Sequence, residues 1–182
     1  MEYLIIIIGT YLLGSIPFGF ILTKFFLKKD IRDIGSGNIG ATNTLRTGYK
    51  SIGYSTLALD MMKAILPITL VKFNYPDYIF IASLSVFLGH VFPVWLKFKG
   101  GKGVATYVGI LFAINIIYAF VFIIIWVVTF IISKYSSLSS IIASFLMPVY
   151  IIFFENYNSI LFTHRENVKR LKNKEETKTK IY

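Results

Sequence analysis

Long apolar runs separated by short polar stretches organise this chain. Apolar residues dominate positions 3–27, 51–71, 78–96, 104–133 and 138–154, and a shorter apolar piece follows at 159–162. About 20 apolar residues suffice for a helix to cross a hydrocarbon core of roughly 30 Å, so the pattern predicts membrane-spanning helices. Gly14, Ser15, Pro17 and Gly19 interrupt the first run. Small residues there permit close helix packing, and Pro17 permits a kink. The run at 104–133 would be roughly 45 Å long as a helix, too long for one comfortable span and short for two. Asn115 lies midway along it and marks a candidate turn.

Charge placement decides the count. Lysine and arginine gather at 28–50, at 97–102 and in the tail, whereas 72–77 and 155–158 are nearly neutral or acidic. Cytoplasmic loops of membrane proteins carry the positive excess. Splitting 104–133 into two spans puts every basic segment on the cytoplasmic side, and keeping it as one would put the tail outside. The expectation is an all-α integral membrane protein with seven transmembrane helices. The N-terminus lies outside and the C-terminus is cytoplasmic, and the fourth and seventh helices are short. Residues 1–182 form a single transmembrane domain, with 171–182 as a polar cytoplasmic tail.

Composition agrees. The 182 residues are 55% hydrophobic with a mean hydropathy of +0.68, and the net charge is +10. In a membrane protein such an excess favours anionic headgroups and makes nucleic acid a poor partner. There are no cysteines, which excludes disulfides, thiolate nucleophiles and cysteine metal sites. No small-residue cleavage site follows the first apolar run, so that run is expected to stay as an anchor.

Two polar stretches carry candidate chemistry. The first is Gly35-Ser36-Gly37-Asn38-Ile39-Gly40-Ala41-Thr42-Asn43, preceded by Asp30, Arg32 and Asp33 and followed by Arg46 and Lys50. Its backbone could not be satisfied among lipid tails, so it lies in water or lines a polar cavity. Glycines, short hydroxyls and a nearby arginine suit a phosphate group; a flexible loop between two helices is the plainer reading. The second is Lys97-Phe98-Lys99-Gly100-Gly101-Lys102-Gly103, which leads into an apolar run. It reads as a loop entering a helix N-terminus, where backbone N–H groups favour an anion. It is not a Walker A loop, because Gly103 follows Lys102. Within the second span Asp60 and Lys63 share a helical face, and each costs about 2.5–3.5 kcal/mol at mid-membrane unless paired. His90, near Pro93 in the third span, fits a structural hydrogen bond better than a catalytic role.

Taken in order, 36–43, then 89–93 with 99–106, then 164–171 resemble the bacterial acyl-phosphate:glycerol-3-phosphate acyltransferases of the PlsY type. The resemblance covers nearly the whole chain. Asp60 and Lys63 also match, although the family tends to have glycine where this chain has Ala64. The resemblance implies a seven-helix fold in the bacterial inner membrane with its active site facing the cytoplasm. It implies transfer of an acyl group from acyl phosphate to sn-glycerol 3-phosphate, giving lysophosphatidic acid and inorganic phosphate. No cofactor and no metal are implied. Membrane lipids and the enzyme that produces acyl phosphate are the implied partners.

The resemblance also assigns residues. Lys102, His164, Ser36, Asn38 and Thr42 fall at the reacting centre. Asn43, Arg46, Lys63, Gly100, Gly101, Gly103, Ser137 and Asn167 fall in the substrate-binding set. Ser36, Arg46, Lys102, His164 and Asn167 would hold glycerol phosphate. Asn38, Thr42, Asn43, Ser137 and the backbone of 100–103 would hold acyl phosphate. Ser137 is favoured over Ser140 for the binding hydroxyl. No nucleophile elbow is present, and neither histidine starts an H-x-x-x-x-D motif, so direct transfer is expected. The base is either the donor's own phosphate oxygen or His164. A transporter of organic phosphates and a lipid-linked phosphatase are the competing classes. Against the first, the polar motifs cluster on one face and no repeat is visible. Against the second, no acid or histidine triad can be assembled.

Overall fold

The computed structural model describes residues 1–163 of the protein, with 155–163 as backbone only. The described residues hold eight α-helices and three short 3-10 turns: α1 (Glu2–Gly14), α2 (Phe18–Leu27), α3 (Ala41–Leu45), α4 (Lys50–Asn74), α5 (Ile79–Val91), α6 (Val104–Ile114), α7 (Ile116–Ser133) and α8 (Ser136–Thr163), with the 3-10 turns at Ile31–Asp33, Pro76–Tyr78 and Val94–Leu96. Among them there is no strand. Among the described residues, four segments are long and apolar enough to cross a membrane: Glu2–Leu27, Pro76–Leu96, Ile116–Ser133 and Ser136–Phe154. Helix α4 has the length but carries Asp60 and Lys63 in its middle, both buried.

Three features of the apolar pattern recur in the structure. The first span breaks into α1 and α2 across Ser15–Pro17, where Pro17 supplies no amide donor. The 104–133 run is two helices, and α6, with 11 residues, is short. Asn115 makes the turn. Its backbone is extended (φ −156°, ψ 122°), its N–H ends α6 on Leu111 O, and its side chain caps α7 by accepting from Ile117 N. The Nζ of Lys72 closes the same corner, donating to the carbonyls of Ala113 and Ile114 at 3.1 and 2.8 Å.

The seventh helix requires correction. The expected turn at 155–158 is not formed, and α8 runs unbroken from Ser136 to Thr163, so 159–162 is no separate span. Residues 155–158 contain neither glycine nor proline, and polar side chains alone do not end a helix. Pro148 sits within the same helix.

Small residues set how closely the helices pack. A β-carbon on Gly14 would strike the Val86 carbonyl, and one on Gly89 would strike Tyr11 O, so α1 and α5 are in backbone contact. Tyr11 Oη adds a 2.7 Å bond to Phe92 O. Gly109 of α6 lies in the same way on Met61 of α4. Ile6, Ala64, Ile68, Ala82, Val86 and Ile110 form a core between α1, α4, α5 and α6, and Leu111, Phe122, Ala143 and Met147 form another between α6, α7 and α8. Successive crossings alternate in direction. The 28–49 loop, the 97–103 loop and the start of α8 therefore share one end of the bundle.

Candidate functional site

The loop after α2 is built around Asn43. This residue is buried, and its amide is fully engaged. Oδ1 accepts from Ser36 N at 2.9 Å, and Nδ2 donates to the carbonyls of Ile34 and Asn38 at 2.8 Å and lies 3.2 Å from Ile31 O. Asn38 in turn accepts from Gly40 N at 2.8 Å. Gly35 has φ +55°, which glycine adopts without strain, and the stem of Arg46 packs against it. The result is a compact cradle that leaves Ser36, Thr42 and Arg46 exposed. Its entry is fixed by Asp30, which caps a 3-10 turn and forms a two-pronged pair with Arg32, Nε to Oδ1 at 3.0 Å and Nη2 to Oδ2 at 2.6 Å. The Arg32 side chain lowers the Asp30 pKa to about 2.

The second loop turns back on α5. Phe98 N donates to Pro93 O, Gly100 N to Val91 O and Gly101 N to His90 O, all at 3.0–3.1 Å. Lys97 and Phe98 both take the left-handed conformation, with φ of 51° and 60°. That costs on the order of 1–3 kcal/mol per residue, so surrounding contacts must hold the loop in place. Gly103 (φ +80°) starts α6. Gly101 and Gly103 are buried and Lys102 is exposed. Lys102 borders a cavity of about 170 Å³ that Phe87, Gly103, Val104, Tyr107 and Ser144 complete.

The two loops share their end of the bundle with the start of α8. Thr42 Oγ1 lies 3.4 Å from Ser136 Oγ. Ser136 thus stands beside the cradle at this end of the bundle. Ser140 is already engaged, accepting from Trp126 Nε1 at 3.0 Å and donating to Ser136 O at 2.9 Å. Ser137 is exposed. Lys63 is turned away from this surface. Its side chain is 2% exposed, and its ammonium is surrounded by Asp60, His90 and the Ile16 carbonyl. His164 and Asn167 lie outside the described residues. Among the described residues no group of three or more His, Cys, Asp or Glu could hold a metal ion.

Fold and site together define a polytopic membrane protein whose polar, glycine-rich surface is gathered at one end of a helical bundle. Residues 4–174 match the family model described as glycerol-3-phosphate acyltransferase. A glycerol-3-phosphate acyltransferase of Pelagibacter ubique is 75% identical over the full length of both chains. One from Bradyrhizobium diazoefficiens is 46% identical, covering 95% of this chain and 92% of its own. The crystal structure of PlsY (YgiH), an integral membrane glycerol 3-phosphate acyltransferase in its glycerol 3-phosphate form, superposes with a TM-score of 0.81 at 33% identity. It covers 99% of this chain and 96% of its own. A lysophosphatidic acid form of the same protein gives 0.77. The chain belongs to the glycerol-3-phosphate acyltransferase family.

Proposed function

We propose that the protein transfers a fatty acyl group from an acyl phosphate to sn-glycerol 3-phosphate at the cytoplasmic face of the bacterial inner membrane. The products are lysophosphatidic acid and inorganic phosphate. Membership of the family supports the acceptor, and the related structure in its glycerol 3-phosphate form supports it further. One observation carries the reading. Exposed Ser36, Arg46 and Lys102 stand at the same end of the bundle as the Thr42–Ser136 contact, so donors for two phosphates face one region. The excess of lysine and arginine at this end supports a cytoplasmic orientation.

In this reaction a glycerol hydroxyl attacks the acyl carbonyl carbon, a new ester C–O bond forms, and the bond from the carbonyl carbon to the bridging phosphate oxygen breaks. Phosphate leaves as a stable anion and takes up the hydroxyl proton, so the donor serves as its own base. Lys102 neutralises charge that builds on the phosphate oxygens, and Ser36 and Arg46 orient the acceptor. His164 and Asn167 join the acceptor side by family resemblance. Asn38, Thr42 and the backbone of Lys102 and Gly103 hold the donor phosphate, the N–H groups of Gly100 and Gly101 being spent on α5 carbonyls, and Asn43 shapes that pocket from within. Catalysis then rests on positioning and on electrostatic stabilisation.

The test is phosphate release from palmitoyl phosphate by purified protein, with and without glycerol 3-phosphate, for wild type, Lys102→Ala and His164→Ala. Acceptor-dependent release that Lys102→Ala abolishes supports the reading. Retained kcat with raised KM in His164→Ala supports the donor phosphate as base. Release independent of the acceptor would point to a phosphatase, and no release to a transporter.

A further inference from the structure

Beneath the second loop lies a buried polar chain that the reaction above does not use. Lys63 Nζ sits 2.8 Å from Asp60 Oδ1, 2.9 Å from His90 Nδ1 and 2.8 Å from the carbonyl of Ile16. The Phe18 ring lies 5.8 Å away on the far side of the break in the first span. Asp60, Lys63 and His90 are all buried. Each end of the chain meets an irregular piece of backbone. At one end, the Ile16 carbonyl lies in the α1–α2 break, where it accepts from Phe18 N at 3.2 Å as well as from Lys63. At the other, the imidazole is packed directly on Gly101, and a β-carbon there would collide with the ring at Nε2. An ammonium only donates, so His90 accepts at Nδ1 and carries its proton on Nε2, the edge that meets Gly101. The His90 carbonyl also accepts from Gly101 N.

Stability alone does not account for such a network. Two buried charges cost several kcal/mol to desolvate, and well-packed apolar residues serve as well or better. What the network supplies is a fixed tautomer and a fixed ring position under a loop whose Lys97 and Phe98 are held in a costly conformation.

We propose that Asp60, Lys63 and His90 are positioning residues that hold the 97–103 loop in its phosphate-binding shape and tie it to the break in the first span. The kinetic consequence rests on the acyltransferase reading; the structural one does not.

Two measurements test this on the purified full chain in detergent. The first is limited tryptic cleavage at Lys97, Lys99 and Lys102, read against cleavage at Lys134 between α7 and α8. In His90→Ala, and in Asp60→Asn/Lys63→Met, which removes both charges together, loop cleavage is expected to rise about 10-fold over the Lys134 reference. The second is steady-state kinetics. KM for a phosphate substrate is expected to rise about 10-fold while kcat stays within about 3-fold.

Equal acceleration at all sites would reduce the network to a general fastening and overturn the proposal. So would unchanged loop cleavage, or faster cleavage with unchanged KM. If wild type shows no acyl transfer the proposed reaction fails, and the cleavage pattern alone decides whether the network holds the loop.

Discussion

Thr42 and Ser136, separated by 94 positions in the chain, bring their hydroxyl oxygens to 3.4 Å. One hydroxyl belongs to the glycine-rich cradle, and the other opens α8. A pair so placed can close on one phosphate oxygen together. We expect Thr42→Val and Ser136→Ala each to lower kcat/KM about 5–10-fold, the worth of one hydrogen bond of roughly 1 kcal/mol. The double variant should lose less than the product of the two, because partners in contact are not additive. Ser137→Ala should give the smaller effect. If Ser137→Ala is instead the more damaging change, the assignment to Ser136 fails.

Asn43 makes a second prediction. Removing its amide in Asn43→Ala strands Ser36 N and the carbonyl of Asn38, and leaves the Ile34 carbonyl with Gly37 N alone. Each buried polar group left without a partner costs about 1–3 kcal/mol. We expect the cradle to open and acyl transfer to fall at least about 100-fold, while the helix content by circular dichroism stays at the wild-type value. Asn43→Asp keeps the acceptor for Ser36 but loses both donors, and it should fail to rescue activity. Activity within about 3-fold of wild type in either variant would show that the loop does not depend on this residue.

Much of this architecture is legible in the amino-acid sequence. The small-residue and proline cluster marks the break between α1 and α2, and the length of 104–133 with Asn115 at its middle marks two helices. Both follow from backbone rules that act locally. The course of α8 is not legible in the same way, because a polar tetrapeptide without glycine or proline resembles a turn in composition but not in backbone preference. At the site, residue types point to phosphate. They do not separate Ser36, left exposed by the cradle, from Asn43, spent on building it. Nor does spacing along α4 reveal that Lys63 reaches a carbonyl of the first span and a histidine of the third. Those partners depend on how Gly14, Gly89 and Gly109 let the helices approach.

Asp30 gives a pH prediction. Its pKa is about 2 in the folded protein, because the Arg32 side chain stabilises the carboxylate, against an ordinary value near 3.9 in an unfolded chain. A depressed carboxylate contributes stability fully above the unfolded value, and that contribution fades as pH falls from about 4 through about 2. The pair stands in solvent, with Arg32 44% exposed, so the contribution is small. We therefore expect Asp30→Asn to lower the thermal midpoint slightly and by a constant amount from pH 8 to pH 5. The difference from wild type should shrink below about pH 4. A difference that changed between pH 5 and pH 8 would assign the effect to another group.

Lys72 supplies a contrast at the opposite end of the bundle. Its ammonium closes the end of α6 through the Ala113 and Ile114 carbonyls, which α6 cannot bond internally after Asn115 turns the chain. A cation at a helix C-terminus is favoured by the dipole as well as by these bonds. Lys72→Met keeps the stem and removes both interactions. We expect a loss of about 1 kcal/mol, read as a thermal midpoint lower by about 2–4 °C. KM and kcat should stay within about 2-fold of wild type, because no candidate phosphate donor lies at that end. This separates stability from positioning. Lys63 and Lys72 belong to the same helix and each bonds carbonyl oxygen of another segment. If Lys72→Met raised KM as strongly as the Asp60/Lys63 double variant, the effect of that double variant would reflect a loosened α4 rather than a displaced loop.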